Sequence, residues 1–562
     1  MSTDRKKKNY KLRQSRYSKN TPHKGQKKSL SHQNSQKPKK NVKPSVKVSF
    51  LGGLNEIGKN ITLIECEGDM LIIDCGMAFP DGDMLGVDLV IPDFSYIEQN
   101  ADKIRGIVLT HGHEDHIGGL PFLLSRVNIP LYGTPLTLGL VGNKLREHSL
   151  FNKTKMTVVN AGDTIKLGCM SIKFIHVNHS IPDAVAFAIH TPAGTIVHTG
   201  DFKIDCTPIL GETIDLSSFA KVGDEGVLAL LAESTNASRP GYTRTEMMVS
   251  DSLNMLFSKA EQYRIIIATF ASNVNRVQQI INTAHKYGRK VAFSGRSMVN
   301  YMDVAEKLGY LNIPDNILID LDMLDKYPRE QIVLVTTGSQ GEPMSALSRM
   351  AYSDHRKVMV GEGDFIIISA NPIPGNEKTV GNVVDELLKK GCKVIYESMY
   401  DVHVSGHACQ EELKLIHRLV KPKFFIPVHG EQKHLRKHAE LAEFLGMERK
   451  NIYIGDVGSI VLRDRKHLGQ DGLIIIVASL DVYDGHVISG PDVVSRGFVY
   501  VRESETLLEE VRKLALDILE DCAEKNIHEW GIIKNRIKDE ISKLIAQRTR
   551  RAPMILPILQ EV

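Results

Sequence analysis

Residues 110–119 read THGHEDHIGG. Three histidines and two carboxylates crowd the six positions from His111 to His116, and Gly118 and Gly119 close the stretch. A solvated loop has no need of so many ligand-type side chains. The stretch follows the apolar run IRGIVL (104–109), which has the length and composition of a short buried strand. His111 and His113, two apart, can point the same way from an extended segment. Asp115 and His116 fall where a helix would begin and would face a second ion. The two glycines let the backbone pass close to whatever is held there.

Working outward, the same punctuation recurs. VKVSFLGG (46–53), MLIIDCG (70–76), GTIVHTGD (194–201), GVLALLAEST (226–235) and KPKFFIPVHGE (421–431) are apolar runs that stop at turn or ligand-type residues. Asp74, Asp201, Glu233 and His429, like His111, stand just after such runs. In open sheets, functional groups gather beyond the carboxyl ends of the strands, so these distant residues can meet. Imidazole and carboxylate without a nearby thiolate suit Zn²⁺ or Mn²⁺.

Between 246 and 388 the rhythm changes. RIIIATFAS (264–272), KVAFSGRS (290–297), QIVLVTTGSQGEP (331–343) and DFIIISANPIPGN (364–376) alternate with helical stretches, which predicts βαβ units and a mostly parallel sheet. After about 465, strand-like GLIIIVASLDV (472–482) precedes two long amphipathic patterns, the signature of a small α+β C-terminal domain.

Composition narrows the class. A chain of 562 residues exceeds one ordinary core. Its 42% hydrophobic and 25% charged residues are the balance of a soluble globular protein. No apolar run approaches the ~18–20 residues that span a bilayer, and the N-terminus lacks the apolar segment of a secretory signal. The seven cysteines are scattered without a CxxC pair, consistent with a reducing cytoplasm. The net charge of +4 hides an asymmetry: residues 1–45 carry +14, leaving about −10 for the rest. That extension is also rich in Ser, Asn, Gln and Pro, so disorder is expected. It is either a solubilising tail or a tether for a polyanion. TGSQGEP lacks the Lys-Ser/Thr of a P-loop, so nucleotide hydrolysis is not indicated.

THGHEDHIGG resembles the signature loop of the metallo-β-lactamase superfamily, and NHSIPD with His179, HTGDF with Asp201 and VHGE with His429 follow in that superfamily's order. The resemblance implies that His111, His113 and His179 hold one ion and Asp115, His116 and His429 the other, with Asp201 bridging. Asp74 would orient a ligating side chain. A domain inserted before the last ligand marks the β-CASP branch. Within that branch LGGLNEIGKN, ATFASN, TGSQGEPMSALSR, HVSGHA, GPDVVSRGFVYVRES and MILPILQEV are similar to the bacterial ribonuclease J family, from about Val46 to the end.

The fold so implied is α/β: a metallo-β-lactamase αββα sandwich with an inserted β-CASP α/β domain and a small α+β C-terminal domain. The expected divisions are a basic extension at 1–45, a discontinuous metallo-β-lactamase domain at 46–245 and 389–464, the β-CASP domain at 246–388 and the C-terminal domain at 465–562. The segment between NIYIGD and VLRDRK is shorter than is usual in the family by a couple of dozen residues.

The function implied is a ribonuclease J-like two-metal RNA hydrolase with two Zn²⁺ per subunit, Mn²⁺ being an alternative. It would be a 5′→3′ exoribonuclease favouring 5′-monophosphate RNA, with endonuclease activity, in RNA maturation and mRNA decay. The competing readings are a DNA or 3′-end-processing β-CASP nuclease and a catalytically weak RNA-binding partner subunit. His407 is the candidate proton donor to the leaving 3′ oxygen, with Glu233 to orient or charge it. His403, Val404, Ser405, Gly406 and His407 form a candidate phosphate cradle. Phe270, Ala271 and Ser272 match the family's substrate-contacting segment, although TFAS also reads as a strand-to-helix turn with Ser272 as N-cap. Glu114 is expected to face away from the ions. The resemblance further implies a cytoplasmic homo-oligomer, a dimer or tetramer, with other RNA-decay proteins or ribosomes as partners.

Overall fold

The computed structural model describes residues 44–562 apart from 80–86, 88, 343–344, 373–375, 397–399, 456–472, 482–483, 497–504, 526, 528, 550–552 and 562. The basic extension, nearly all of it, and the segment near 455 expected to be short lie outside the described residues.

The first sheet takes its strands in chain order: β1 (Val46–Gly52), β2 (Ile61–Cys66), β3 (Asp69–Ile73), β4 (Ile104–Val108), β5 (Leu131–Gly133) and β6 (Met156–Val158). The second begins with β7 (Thr164–Leu167), β8 (Met170–His176), β9 (Val185–Thr191), β10 (Gly194–His198) and β11 (Val227–Glu233). The chain then leaves to build a separate sheet before one more strand closes the second. That separate sheet is wholly parallel and comprises β12 (Arg264–Ala268), β13 (Lys290–Ser294), β14 (Ile332–Thr336), β15 (Asp364–Ile368) and β16 (Lys393–Ile395), in the order β13-β14-β12-β15-β16. On its return, β17 (Phe424–Val428) pairs in parallel with β11 and completes the six-stranded second sheet.

The alternation of side chains decides the layering. In β3, Leu71 and Ile73 face a core shared with Phe174, Phe187, Ile196 and Leu231 of the second sheet, while Met70 and Ile72 face the opposite side. In β9, Phe187 and Ile189 join the shared core while Ala186 and Ala188 pack under Leu413 and Ile416 of the helix Gln410–Val420. A strand buried on both faces has no polar side to present, which is why these runs are almost wholly apolar. The result is two sheets face to face with helices outside each, the αββα sandwich.

The outer core of the first sheet does not stop at the domain junction. Leu136, Leu140 and Val141 of the helix Pro135–Glu147 pack in one continuous cluster with Ile265 and Ile267 of β12 and with Met298, Tyr301 and Val304 of the helix Arg296–Lys307. At one edge the strand pairing and the expected domain division do not coincide. The return was expected at 389, but Phe365–Ile367 pairs with Lys393–Ile395 and Val394 is buried in the inserted domain's own core. By strand pairing the inserted sheet ends at Ile395.

At the C-terminus, β18 (Leu473–Leu480) pairs antiparallel with β19 (Val487–Arg496) and parallel with β20 (Met554–Glu561). Ile474, Ile476, Ala478 and Leu480 pack beneath the helices Glu505–Glu524 and Trp530–Thr549. Pro557, which cannot donate to a ladder, sits on the edge strand of this sheet. Among the described residues no helix is long and apolar enough to cross a membrane.

Candidate metal centre

Each ligand candidate is delivered by a strand end. β4 leads into His111, which is fully buried, and the short helix Glu114–Ile117 carries Asp115 and His116. His179 follows β8, Asp201 follows β10 and His429 follows β17. Two ligand-region residues have left-handed backbone, Asp74 (φ 60°) and His429 (φ 52°), conformations that non-glycine residues seldom adopt. Such strained residues concentrate where function over-determines the backbone.

The side chains converge in two groups, His111 with His113 and His179, and Asp115 with His116, Asp201 and His429, each with ligand atoms within 4.8 Å of one another. In the first group His113 Nδ1 lies 3.0 Å from His111 Nε2 and 3.1 Å from His179 Nε2. Asp201 joins the groups: its Oδ2 is 3.2 Å from His116 Nε2, 3.3 Å from His429 Nε2, 3.8 Å from His111 Nε2 and 3.9 Å from both His179 Nε2 and His407 Nδ1. Glu114 turns the other way, onto Lys144 at 2.6 Å.

Outer partners fix these rings. Asp74 accepts from the backbone N–H and hydroxyl of Thr110, both at 2.8 Å, and lies 2.8 Å from His116 Nδ1. His179 donates from Nδ1 to the carbonyl of Gly406 at 2.7 Å, which leaves Nε2 free for an ion. Gly406 must be glycine, since a Cβ there would lie 2.8 Å from the His179 ring. Asn60 Oδ1 stands 2.9 Å from His429 Nδ1, and the backbone N–H of His429 donates to Gly53. LGGLNEIGKN is thus the cradle of His429. Sequence reasoning quoted that motif but did not single out Asn60.

The electrostatics divide the groups. Burial, then neighbouring imidazoles, keep His111 and His179 neutral far below the usual histidine pKa; burial holds His113 at about 4. For His116 burial opposes charge, but Asp201, Asp115 and Asp74 outweigh it and raise its pKa well above normal. Burial likewise works against the Asp201 carboxylate, yet His429 and His116 hold it ionised well below the ordinary range. One oxygen of this buried carboxylate, Oδ1, has no hydrogen-bond partner. Three neutral imidazoles, a mixed imidazole and carboxylate set, and an unpartnered carboxylate oxygen between them fit divalent cations that accept nitrogen and oxygen donors.

His407 stands over this centre. Its Nδ1 is 3.3 Å from Glu233 Oε1, and that carboxylate also accepts the N–H groups of Ala408 (3.2 Å) and Thr235 (2.9 Å). Burial disfavours a charged His407, but Glu233 and Asp201 prevail and bring its pKa to about 9. Asn236 donates to Ser405 Oγ and to the His407 carbonyl, which also accepts from Thr243 Oγ1 at 2.7 Å. Asn236 and Thr243, in STNASRPGYT just after Glu233, were missed by the sequence reading.

Within HVSGH the side chains part company. Val404 is in the core, and His403 is mostly buried, with the charges of Arg276 and Glu246 close by. Fully buried Arg276 bonds Glu246 (2.8 Å), Gln279 (3.0 Å), Ser369 and the carbonyl of Val402, tying the inserted domain to the base of the cradle. Phe270, Ala271 and Ser272 follow β12 and are partly exposed. The N-cap of the next helix is Asn273, whose side chain accepts from Arg276 N; Ser272 makes no cap.

A sandwich of two mixed sheets with ligands at its strand ends, interrupted before the last ligand by a parallel α/β domain, defines a metallo-β-lactamase-fold hydrolase of the β-CASP type. Family descriptions match in that order: the metallo-β-lactamase superfamily over 54–234, the ribonuclease J β-CASP domain over 262–387, the Zn-dependent metallo-hydrolase RNA specificity domain over 392–454 and the ribonuclease J C-terminal domain over 460–562. The chain belongs to the ribonuclease J family of metal-dependent ribonucleases. It is 41% identical to ribonuclease J2 of Bacillus subtilis, covering 93% of this chain and 100% of that protein. With ribonuclease J 1 of Streptococcus pyogenes the identity is 39% over 92% of this chain and 98% of the relative. Ribonuclease J 2 of Staphylococcus aureus is 37% identical with the same coverage. In fold alone, the chain resembles a crystal structure of a protein of unknown function from Enterococcus faecalis (TM-score 0.53, 17% identity, 74% of this chain and 99% of that one).

Proposed function

We propose that this chain hydrolyses RNA with two divalent ions, Zn²⁺ or Mn²⁺, one held by His111, His113 and His179 and the other by Asp115, His116 and His429, with Asp201 between them. It degrades RNA 5′→3′ from monophosphorylated ends and also cuts internally. The observation that carries the reading is the Asp201 carboxylate oxygen set within 3.2–3.9 Å of five imidazoles, His407 among them. Bound ions supply Lewis acidity to the phosphoryl group and lower the pKa of a neighbouring water.

The chain's own groups do the rest. Ser405 Oγ accepts from His407 N and Asn236 Nδ2, so its hydroxyl proton is free to donate to a phosphate oxygen beside the Gly406 backbone. His403 and Val404 contribute backbone to this cradle, and Phe270, Ala271 and Ser272 line the substrate path. Glu233 holds the Nδ1 proton of His407, and Nε2 delivers a proton to the leaving 3′ oxygen. Asp74 keeps His116 oriented.

The domains divide as the sequence reading has them, with β16 pairing across the 389 edge into the inserted sheet. The working form is a cytoplasmic homo-oligomer acting in RNA maturation and mRNA decay, alongside other RNA-decay proteins or ribosomes. The test follows 5′-monophosphate RNA labelled at its 5′ end, beside 5′-hydroxyl RNA and a matching DNA. Labelled mononucleotide as first product, slower decay of 5′-hydroxyl RNA and intact DNA are expected. Equal rates on both RNA ends would remove the 5′-monophosphate preference.

A further inference from the structure

The inserted domain does more than face the metal centre. Its helix Arg296–Lys307 lies between β13 and β14 in sequence, yet it packs against the helix Pro135–Glu147 of the sandwich. The approach is close: a Cβ at Gly139 would lie 2.7 Å from Val304. From this helix Tyr301, only 9% exposed, donates its hydroxyl to the carbonyl oxygen of Gly112 at 3.2 Å. Gly112 is the residue between His111 and His113.

Just past the end of the helix, Tyr310 lies beside the carboxylate of Asp183. Asp183 follows His179 by four residues in NHSIPD and has left-handed backbone (φ 74°). Its carboxylate accepts the N–H of Leu136 (3.0 Å), and its carbonyl accepts from Thr134 Oγ1 (2.9 Å). The loop that carries His111 and His113 is therefore held by a tyrosine of the inserted domain, and the loop of His179 passes beside a second one.

We infer that Tyr301 is a positioning residue through which the inserted domain sets the loop of His111 and His113 against His179, so that ion retention at this triad depends on that hydroxyl. The inference rests on the proposed ligand role of the triad. Its physical basis is that three ring nitrogens converge productively only if two loops 66 residues apart keep their register. A carbonyl released from Tyr301 would leave the peptide between two ligands free to turn.

The experiment uses the full chain loaded with Zn²⁺ and follows release to a chromogenic chelator in wild type, Y301F, H179A and Y287F. Tyr287 donates to Asn254 at 2.9 Å, a bond within the inserted domain, and serves as the control. Y301F should release one ion about tenfold faster, the lower end for an outer ligand partner, with the melting temperature of the metal-free protein unchanged. Y287F should release at the wild-type rate. Wild-type release from Y301F overturns the inference, as does acceleration that Y287F matches or that follows a fall in metal-free melting temperature. Unchanged zinc content in H179A would instead refute the ligand assignment.

Discussion

Glu233→Gln removes the charge facing His407 while keeping the side chain's size. His407 has a pKa of about 9 against an ordinary 6.5, and among the influences that raise it Glu233 stands first, ahead of Asp201 and Asp115. The displacement corresponds to roughly 3 kcal/mol favouring the imidazolium. Bound cations oppose it, so in the loaded enzyme the limb lies below 9. If His407 Nε2 protonates the leaving oxygen, the rate falls at high pH as His407 loses its proton. Losing the largest stabilising charge should move that descending limb acid-ward by about one pH unit or more, a rate about tenfold lower on the alkaline side. The amide keeps one acceptor for the N–H groups of Ala408 and Thr235, so the loop should persist. The assay is single-turnover cleavage of 5′-monophosphate RNA between pH 6 and 10. His407→Ala, measured alongside, should lose about 10²–10⁴ in rate together with the limb. A Glu233→Gln limb at the wild-type pH, or a limb that survives His407→Ala, would refute the assignment.

Gly406→Ala would push a methyl group to 2.8 Å from the His179 ring, costing about 1–3 kcal/mol and depleting metal at the triad, readable by metal content. Arg276→Met takes one of two basic partners from buried Glu246, leaving Lys203 at 3.3 Å, and one of two donors from the Val402 carbonyl, leaving the Ser369 hydroxyl, so unfolding in guanidinium should show a loss of about 1–3 kcal/mol; an unchanged stability would contradict the interdomain tie. Acid should weaken the fold through His417, which burial and then Arg418 hold neutral with a pKa of about 4. Its contribution is complete above the unfolded pKa near 6.5 and is lost as pH falls toward 4, so His417→Leu should shrink the stability difference between pH 7.5 and pH 5 by about 2 kcal/mol. Deleting residues 1–45, which carry +14, should weaken RNA binding at low salt and flatten its salt dependence in filter binding; unchanged binding would leave a solubilising tail.

The readable part of this molecule is local. Strands β4, β10, β11 and β17 announce themselves as apolar runs closed by ligand-type residues, and the parallel inserted sheet by alternation with helical stretches. His111, His113, Asp115 and His116 lie in one loop, so their grouping needed no tertiary knowledge. The edge at 389 falls between the matched β-CASP and RNA specificity segments, yet KVI just beyond it reads as a strand without saying which sheet it joins. Pairing with β15 decided that. Ser272 read as a cap because a serine before a helix is a common signal, but neighbouring Asn273 supplies the oxygen.

By itself the chain determined which residue types stand at strand ends and which stretches resemble a known family. Only the tertiary structure decided who holds whom. Gly406 accepts from His179 across 227 positions, Arg276 reaches Val402 across 126, and Tyr301 reaches Gly112 across 189. Such bonds leave no periodic trace in sequence, because each depends on how close two separately folded segments are brought by packing. The two sheets and the shared core beneath the inserted domain fix those distances.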